Sequence, residues 1–358
     1  MKCLPKQPRQ ILVTCPQRLG DVLLTTALIR SLKQAWPDAQ IDVLVLSGTE
    51  GVLVGNPDIR QVLTQVQRLS WWRKLAEAAR LWRRYDIGVA AIPTDRSRLY
   101  AWVGAAFRVG FLVEGEKGKT GWLDRHVVFD DLDTHTVAMQ GGLVEQLGIR
   151  PALEVVVPMP SPGELDALQR RLPVKAYAVL HPSPKFRYKM WRSDGWAALA
   201  EWLHAQGLEI VFSGSGDTDE LAYVAAIEKQ LSVPYRNLAG TLSLAESAAV
   251  LKGASLYVGP DTVMTHMAAA TGIPTLALFG PSNPVKWGPW PAGWEGVQSP
   301  WQRVGSGRHA NVLLLQAVAD CVPCMLEGCE RHVNSPSACL DEMPVSRVID
   351  AARELLGS

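Results

Sequence analysis

Three observations predict that this chain folds as two consecutive α/β domains built on parallel sheets. Short apolar runs alternate with helical patterns along both halves, the βα signature of a parallel sheet. A proline-rich break, PMPSPG at 158–163, separates the halves and reads as the linker. The stretch 257–290, YVGPDTVMTHMAAATGIPTLALFGPSNPVKWGPW, reads as strand, tight loop, helix, strand and second loop. Two loops then open side by side at the carboxyl ends of neighbouring parallel strands, where open α/β sheets bind ligands. The pattern as a whole draws two Rossmann-like domains facing a cleft, over 1–160 and 161–343, with a last helical segment at 344–358.

In the first half, ILVTCP (11–16) is a strand and DVLLTTALIRSLKQAW a helix. IDVLVL (41–46) and IGVAAIP (87–93) are further strands, followed by RVGFLV and HVVF. HTVAMQGGLVEQLGI makes a helix closed by Gly148. The second half restarts with YAVLHPS (177–183), a helix through Trp196 to Gln206, EIVFSGSG (209–216) and a helix over Glu220–Gln230. Within 257–290, Gly259-Pro260 ends the strand. Asp261 and Thr262 stand as N-cap residues ahead of Met264, Met267, Ala268 and Ala270 at helical spacing, and Gly272 and Pro274 stop that helix. Free N–H groups at such a helix start suit a phosphate. A last helix spans Val345–Leu356.

Composition narrows the function class. With 358 residues, 47% hydrophobic and 20% charged, the chain is ordinary for a globular protein, and a formal net charge of +1 argues against bulk binding to nucleic acid. The N-terminus lacks the apolar core of a signal peptide and no window reaches the roughly 20 apolar residues of a membrane span, which predicts a cytoplasmic protein. Of six cysteines, Cys321, Cys324, Cys329 and Cys339 cluster as C-x2-C-x4-C-x9-C. They are either ligands of a structural metal or reduced thiols packing a loop.

Several residues sit where strand-end loops carry chemistry. Arg18-Leu19-Gly20-Asp21 follows the first strand: Gly20 allows a sharp turn, and Asp21 is either a helix cap or a base facing the cleft. HPSPKFRYKMW (181–191) groups Ser183, Lys185, Arg187 and Lys189 as partners for anionic oxygens such as a diphosphate, or as a solvated basic loop. Gly214-Ser215-Gly216 hints at a dinucleotide fingerprint, but the third glycine is missing, which counts against a Rossmann oxidoreductase. Asp217 beyond that turn is a ribose-binding candidate. Asp217-Thr218-Asp219 and Asp131-Leu132-Asp133 spell D-x-D, a metal-holding pattern of some glycosyltransferases that is common by chance. His266 lies one helical turn past Thr262, packed in the helix or facing the anion site. LSWWRKLAEAARLWRRYD (69–86) reads as a basic, Trp-bearing amphipathic helix that either packs on the sheet or lies at an anionic membrane surface.

These pieces, in this order, resemble the glycosyltransferase family 9 heptosyltransferases. QRLGDVLLTTALIRSLKQAWPDAQIDVLV is similar to the family's opening and VGPDTVMTHMAAATGIPTLALFGPSNPVKWGP to its donor-site signature, with FRVGF, HTVAMQGGLVEQLGI and LHPSPKFRYKMW falling between as in the family. The resemblance implies a GT-B fold with an N-terminal acceptor domain, a C-terminal nucleotide-sugar domain and a last helix that crosses back to the first. It implies inverting, metal-independent transfer, without a cofactor, of a heptose from ADP-heptose to the lipopolysaccharide inner core at the cytoplasmic face of the inner membrane. Asp21 matches the family's proposed base, with Arg18, Gly20 and Arg96 on the acceptor side. Ser183, Lys185, Lys189, Asp217, Asp261, Thr262, His266 and Ser282 fall on the donor side. Val263 departs from the glycine usual after the Asp-Thr pair, which puts the donor's identity in question and keeps open another nucleotide-sugar or a non-catalytic nucleotide-sugar binding protein.

Overall fold

A computed structural model describes residues 3–66 and 79–357 and divides them into two compact units. One comprises residues up to Pro158 together with Glu295–Gln298, and the other Met159–Trp294 with the remainder from Ser299. The amphipathic helix expected over 69–86, packed on the sheet or lying at a membrane surface, falls largely outside the described residues, including Trp71 and Trp72. Its end, with Trp82, is described.

The N-terminal unit is a six-stranded parallel sheet. Its strands are β1 (Gln10–Cys15), β2 (Gln40–Leu46), β3 (Gln61–Gln65), β4 (Tyr85–Ala90), β5 (Ala105–Leu112) and β6 (Arg125–Val128), in the spatial order β3-β2-β1-β4-β5-β6. Every residue from Ile11 to Cys15 is buried, as expected of a central strand covered on both faces. β3 was not expected; its apolar residues are only half-buried at the sheet edge, so its sequence lacks a strong strand pattern. The helix expected over 21–36 is two helices, Leu19–Leu24 and Thr26–Ala35, joined at Thr25. The Thr25 hydroxyl donates back to the Asp21 carbonyl at 2.8 Å, the local competition that bends helices at threonine.

The C-terminal unit carries seven strands: β7 (Tyr177–Leu180), β8 (Glu209–Phe212), β9 (Tyr235–Asn237), β10 (Leu256–Pro260), β11 (Thr275–Phe279), β12 (Gly307–His309) and β13 (Val312–Gln316). They lie in the order β12-β13-β11-β10-β7-β8-β9, parallel except for β12, whose hairpin with β13 is antiparallel. β7, β10, β11 and β13 are buried along their whole length. Trp191 and Trp196 stack edge to face at 5.4 Å in the core, and Gly195 is required there: a Cβ would come within 2.6 Å of the Trp191 ring. The last helix, Val345–Leu356, buries Val348, Ala351, Ala352 and Leu355 in the C-terminal unit's core, because those residues form one apolar stripe that faces the sheet.

Candidate active site

β10 lies between β7 and β11, so the loops after all three open at one edge of the C-terminal sheet. The first, after β7, runs through His181 and Ser183, both buried, to a short 3-10 turn at Arg187–Lys189. Its course is set by the buried Trp191, whose indole N–H donates to the Met343 carbonyl at 3.0 Å. Phe186 and Tyr188 stack at 5.5 Å, with the Lys189 ammonium 5.8 Å from the Tyr188 ring. Lys185 is exposed beside Phe186.

The second loop is Asp261-Thr262. Thr262 is the N-cap of the helix Val263–Thr271 in extended conformation, and its side chain makes no capping bond. Tyr257 hydrogen-bonds the Thr265 hydroxyl at 2.9 Å, which in turn donates to the Pro260 carbonyl and fixes the first turn to its strand. Gly259 is needed on that strand, since a Cβ would come 2.1 Å from the Tyr257 hydroxyl. Gly272 ends the helix at φ 84°, in the left-handed region. Val263 is half-buried at the first helical position.

Lys189 and Asp261 meet at 2.6 Å from these two loops. Ser282, in the loop after β11, also hydrogen-bonds the Asp261 carboxylate, and His266 Nε2 lies 3.9 Å from it. Burial pushes the Asp261 carboxyl up, but Lys189, His266 and Ser282 together outweigh burial and hold it below the ordinary carboxylate value. The His266 imidazole is pushed down to about 4 by burial, against the pull of Asp261 and with the help of Lys189. It is therefore neutral at pH 7, and its contact with Asp261 is polar rather than ionic. Its Nδ1 is buried without a hydrogen-bond partner, a group that a ligand hydroxyl would satisfy. The geometry thus joins four of the expected donor-side residues, Lys189, Asp261, His266 and Ser282, with Thr262 at the helix start and Ser183 buried in the adjoining loop.

Asp217 follows β8, which lies on the side of β7 away from β10. It is exposed and caps the helix Thr218–Glu228, accepting from the Asp219 amide at 3.0 Å. The Gly214-Ser215-Gly216 turn has a packing reason: Gly240, at φ +71°, donates to the Gly214 carbonyl, and a Cβ on Gly240 would come 3.1 Å from Gly216. Sequence reading missed two buried groups at this edge. His181 contacts the Ser213 hydroxyl at 3.1 Å, and burial lowers its imidazole to about 4. Lys286 is almost wholly buried on the short helix Pro284–Trp287 directly after the β11 loop, a burial that nothing in the run VKWGP signals.

In the N-terminal unit, Asp21 is in the first turn of Leu19–Leu24, half-buried, with Arg18 rather than Asp21 at the capping position. The turn is pinned from behind, since Gln140 donates to the Thr25 hydroxyl at 3.0 Å while Thr25 donates to the Asp21 carbonyl. Gly20, expected from sequence to allow a sharp turn, is instead helical, and a Cβ there would meet open space. Arg96 is exposed on the helix Asp95–Gly104 that follows β4. Because β1 and β4 are parallel neighbours, and Ser97 bonds Thr14 of β1 at 2.7 Å, Asp21 and Arg96 belong to the same edge of the sheet.

Among the described residues, no group of three or more His, Cys, Asp or Glu side chains is placed to hold a metal ion. That covers the four clustered cysteines, all free thiols, and both D-x-D tripeptides. No described helix is long and apolar enough to cross a membrane.

Comparison with known proteins agrees with this architecture. The chain is 30% identical over 291 residues to "Lipopolysaccharide heptosyltransferase 3" of Escherichia coli, covering 76% of this chain and 83% of that protein. In fold it is similar to a glycosyltransferase family 9 protein of Veillonella parvula (TM-score 0.76, 20% identity, 97% of each chain). It is also similar to E. coli ADP-heptose lps heptosyltransferase II (TM-score 0.72, 22% identity, 97% of this chain and 98% of that one). The two parallel-sheet units are those of a GT-B fold. The model of glycosyltransferase family 9 (heptosyltransferase) matches residues 72–305, and the chain is a glycosyltransferase that belongs to this family.

Proposed function

We propose that this protein transfers a heptose from ADP-heptose to the lipopolysaccharide inner core, with inversion at the anomeric carbon and without a metal. The observation that carries the donor side is the Lys189–Asp261 pair at the opening of a free helix start. A leaving diphosphate is stabilised by Lys189 and by the first-turn N–H groups after Thr262, which supply in place the positive field that a metal supplies elsewhere. Asp261 and the open Nδ1 of His266 are suited to sugar hydroxyls, and Ser183 to a phosphate oxygen. Asp21, on the other unit, takes the proton of the attacking acceptor hydroxyl as the C–O bond to the new sugar forms and the bond to the diphosphate breaks. Arg18 and Arg96, exposed at the same sheet edge as Asp21, suit the phosphate groups of an acidic acceptor. The acceptor and donor are supported by the names of the relatives, lipopolysaccharide heptosyltransferases among them.

A thermal-shift series with ADP-, UDP- and GDP-sugars tests the donor, since a ligand bound at 100 times its Kd stabilises by about 2.7 kcal/mol. Selective stabilisation by ADP-heptose is expected. A preference for another nucleotide-sugar moves the protein to a different donor, with Val263 the first residue to examine. Donor binding without turnover on any core acceptor makes it a non-catalytic binder.

A further inference from the structure

We infer that the aromatic surface built from Trp82, Trp102 and Trp122 rests on an anionic lipid bilayer. The inference deepens the transferase reading and relies on it for one point, that the acceptor is carried by a lipid. Trp82 and Trp102 are 55% and 44% exposed, and Leu99 beside them is 43% exposed. Trp102 contacts Trp82 edge-on at 6.4 Å and Trp122 at 6.5 Å, so the three indoles form one continuous patch rather than scattered apolar residues. Exposed indoles that touch one another are unfavourable in water and suited to the headgroup layer, where an apolar ring and a polar N–H are both accommodated.

Charge favours a bilayer with negative headgroups. Residues 80–84, Arg-Leu-Trp-Arg-Arg, carry three exposed arginines and no acid, with the Arg83 guanidinium 5.6 Å from the Trp82 ring. Acids on the elements that carry Trp102 and Trp122 are paired within the protein: Arg98 holds Glu116 at 2.6 Å and Asp95 at 2.9 Å, and Lys119 reaches both at 2.8 Å. These pairs, with the buried Arg98 at their centre, also tie the turn ending in Trp122 to the helix bearing Trp102.

The patch has a spatial relation to the acceptor end of the sheet. Arg96, Leu99 and Trp102 are all exposed and follow one another at three-residue intervals on the helix Asp95–Gly104. That stripe is about 9 Å long at 1.5 Å per residue and runs from the sheet edge of Asp21 to the indoles. A sugar core whose lipid is anchored at the indoles can follow it toward the base.

The test is flotation of the full-length protein with vesicles of phosphatidylethanolamine and phosphatidylglycerol (3:1), compared with phosphatidylcholine vesicles. The wild-type protein should float with the anionic vesicles only. Trp82→Ser/Trp102→Ser should lower partitioning at least about tenfold. Arg83→Ser and Arg84→Ser should each lower it about fivefold, the equivalent of ~1 kcal/mol per surface cation. Both sets should keep the wild-type melting temperature and activity on a delipidated core acceptor. Absence of vesicle binding overturns the inference. So does equal binding by the indole variants, or a change in their sedimentation coefficient that marks the patch as a self-association surface. Because flotation needs no sugar donor, a protein that floats but transfers no heptose refutes the activity and leaves the surface standing.

Discussion

Lys189→Ala tests the electrostatics of the donor site most directly. Asp261 is only 9% exposed, and its ionised state depends on Lys189 at 2.6 Å. Removing the lysine leaves a buried carboxylate whose remaining partners are a neutral imidazole and a hydroxyl. Breaking a buried pair in this way costs 3–5 kcal/mol, and because Lys189 is itself one-fifth exposed the lower end, about 3 kcal/mol, is expected. For a unit of this size each kcal/mol moves the melting temperature by about 2–4 °C, so the transition of the C-terminal unit should fall by about 6–12 °C. In the wild type the Asp261 value is lowered, so its stabilisation is present above the unfolded carboxyl value of about 4 and is lost as pH falls through the lower folded value. In the variant burial dominates and raises that value. Protonation then relieves the unpaired charge, and the gap between the two proteins should narrow from pH 7 toward pH 4.5. His266, freed of one cation that depresses it, works in the same direction. Adding Asp261→Asn should return at least about 1 kcal/mol of stability without restoring transfer. Melting curves of wild type, both single variants and the double variant at several pH values check this. A Lys189→Ala protein as stable as wild type, or a gap that widens in acid, would refute the reasoning.

Four further outcomes can be measured. Asp21→Asn should lower kcat by about 10²–10⁴-fold while the donor-induced thermal shift stays near wild type, and retention of most turnover would remove Asp21 from the reaction. His181 and His266 are both lowered to about 4, so protons enter the unfolded state first. Stability should be full above about 6.5 and decline as pH falls toward 4, with the imidazole NMR shifts staying those of neutral rings through pH 6. Gly280→Ala places a Cβ 2.6 Å from Leu340 and 3.2 Å from the Cys339 sulfur, and should cost about 1–3 kcal/mol and weaken donor affinity, read by melting and by titration of ADP. Val263→Gly should cost about 0.5–1 kcal/mol at the helix start and broaden donor choice in the nucleotide-sugar series, an effect absent if the Val263 side chain points away from the ligand.

The fold class was readable because buried parallel strands carry their pattern locally: TLALF and LYVGP are mostly apolar, buried throughout and punctuated by Gly and Pro. Edge strands lack that contrast, which is why Gln61–Gln65 and Tyr235–Asn237 were not foreseen. Val312–Gln316 is fully buried, but its partner is a two-strand hairpin rather than a helix, so the βα rhythm that found the others passed over it. At the site, residue types and loop positions marked Lys189, Asp261 and His266, whereas their mutual distances depend on neighbouring loops brought together by strand order. Asp217 shows the converse. Its residue type and position suit both a ribose ligand and a cap, and only the structure reveals the capping bond. Burial of a cation is likewise invisible to local pattern, as Lys286 shows.

The cysteine-rich segment gains its meaning from what it touches. Met325 donates to the Pro281 carbonyl at 2.8 Å, and Cys339 with Leu340 fills the space beside Gly280, so the loop that offers Ser282 is backed by this segment. Ser337 donates to the Tyr188 carbonyl at 2.7 Å, and Met343 accepts the Trp191 indole, so the turn that offers Lys189 is backed by it too. The two loops come from opposite neighbours of β10 and have no strand pairing with each other. Their separation, and with it the 2.6 Å contact of Lys189 with Asp261 and the bond from Ser282, is therefore set by a third element that grips both. A rigid support of this kind is what electrostatic stabilisation of a leaving group requires, because groups that must reorganise as charge develops lose much of their effect. The buried Cys339 thiol, raised to about 11 by burial and by the neighbouring cysteines, stays protonated and packs as a small apolar group. Its contribution to donor binding is the position of Gly280, not reactivity.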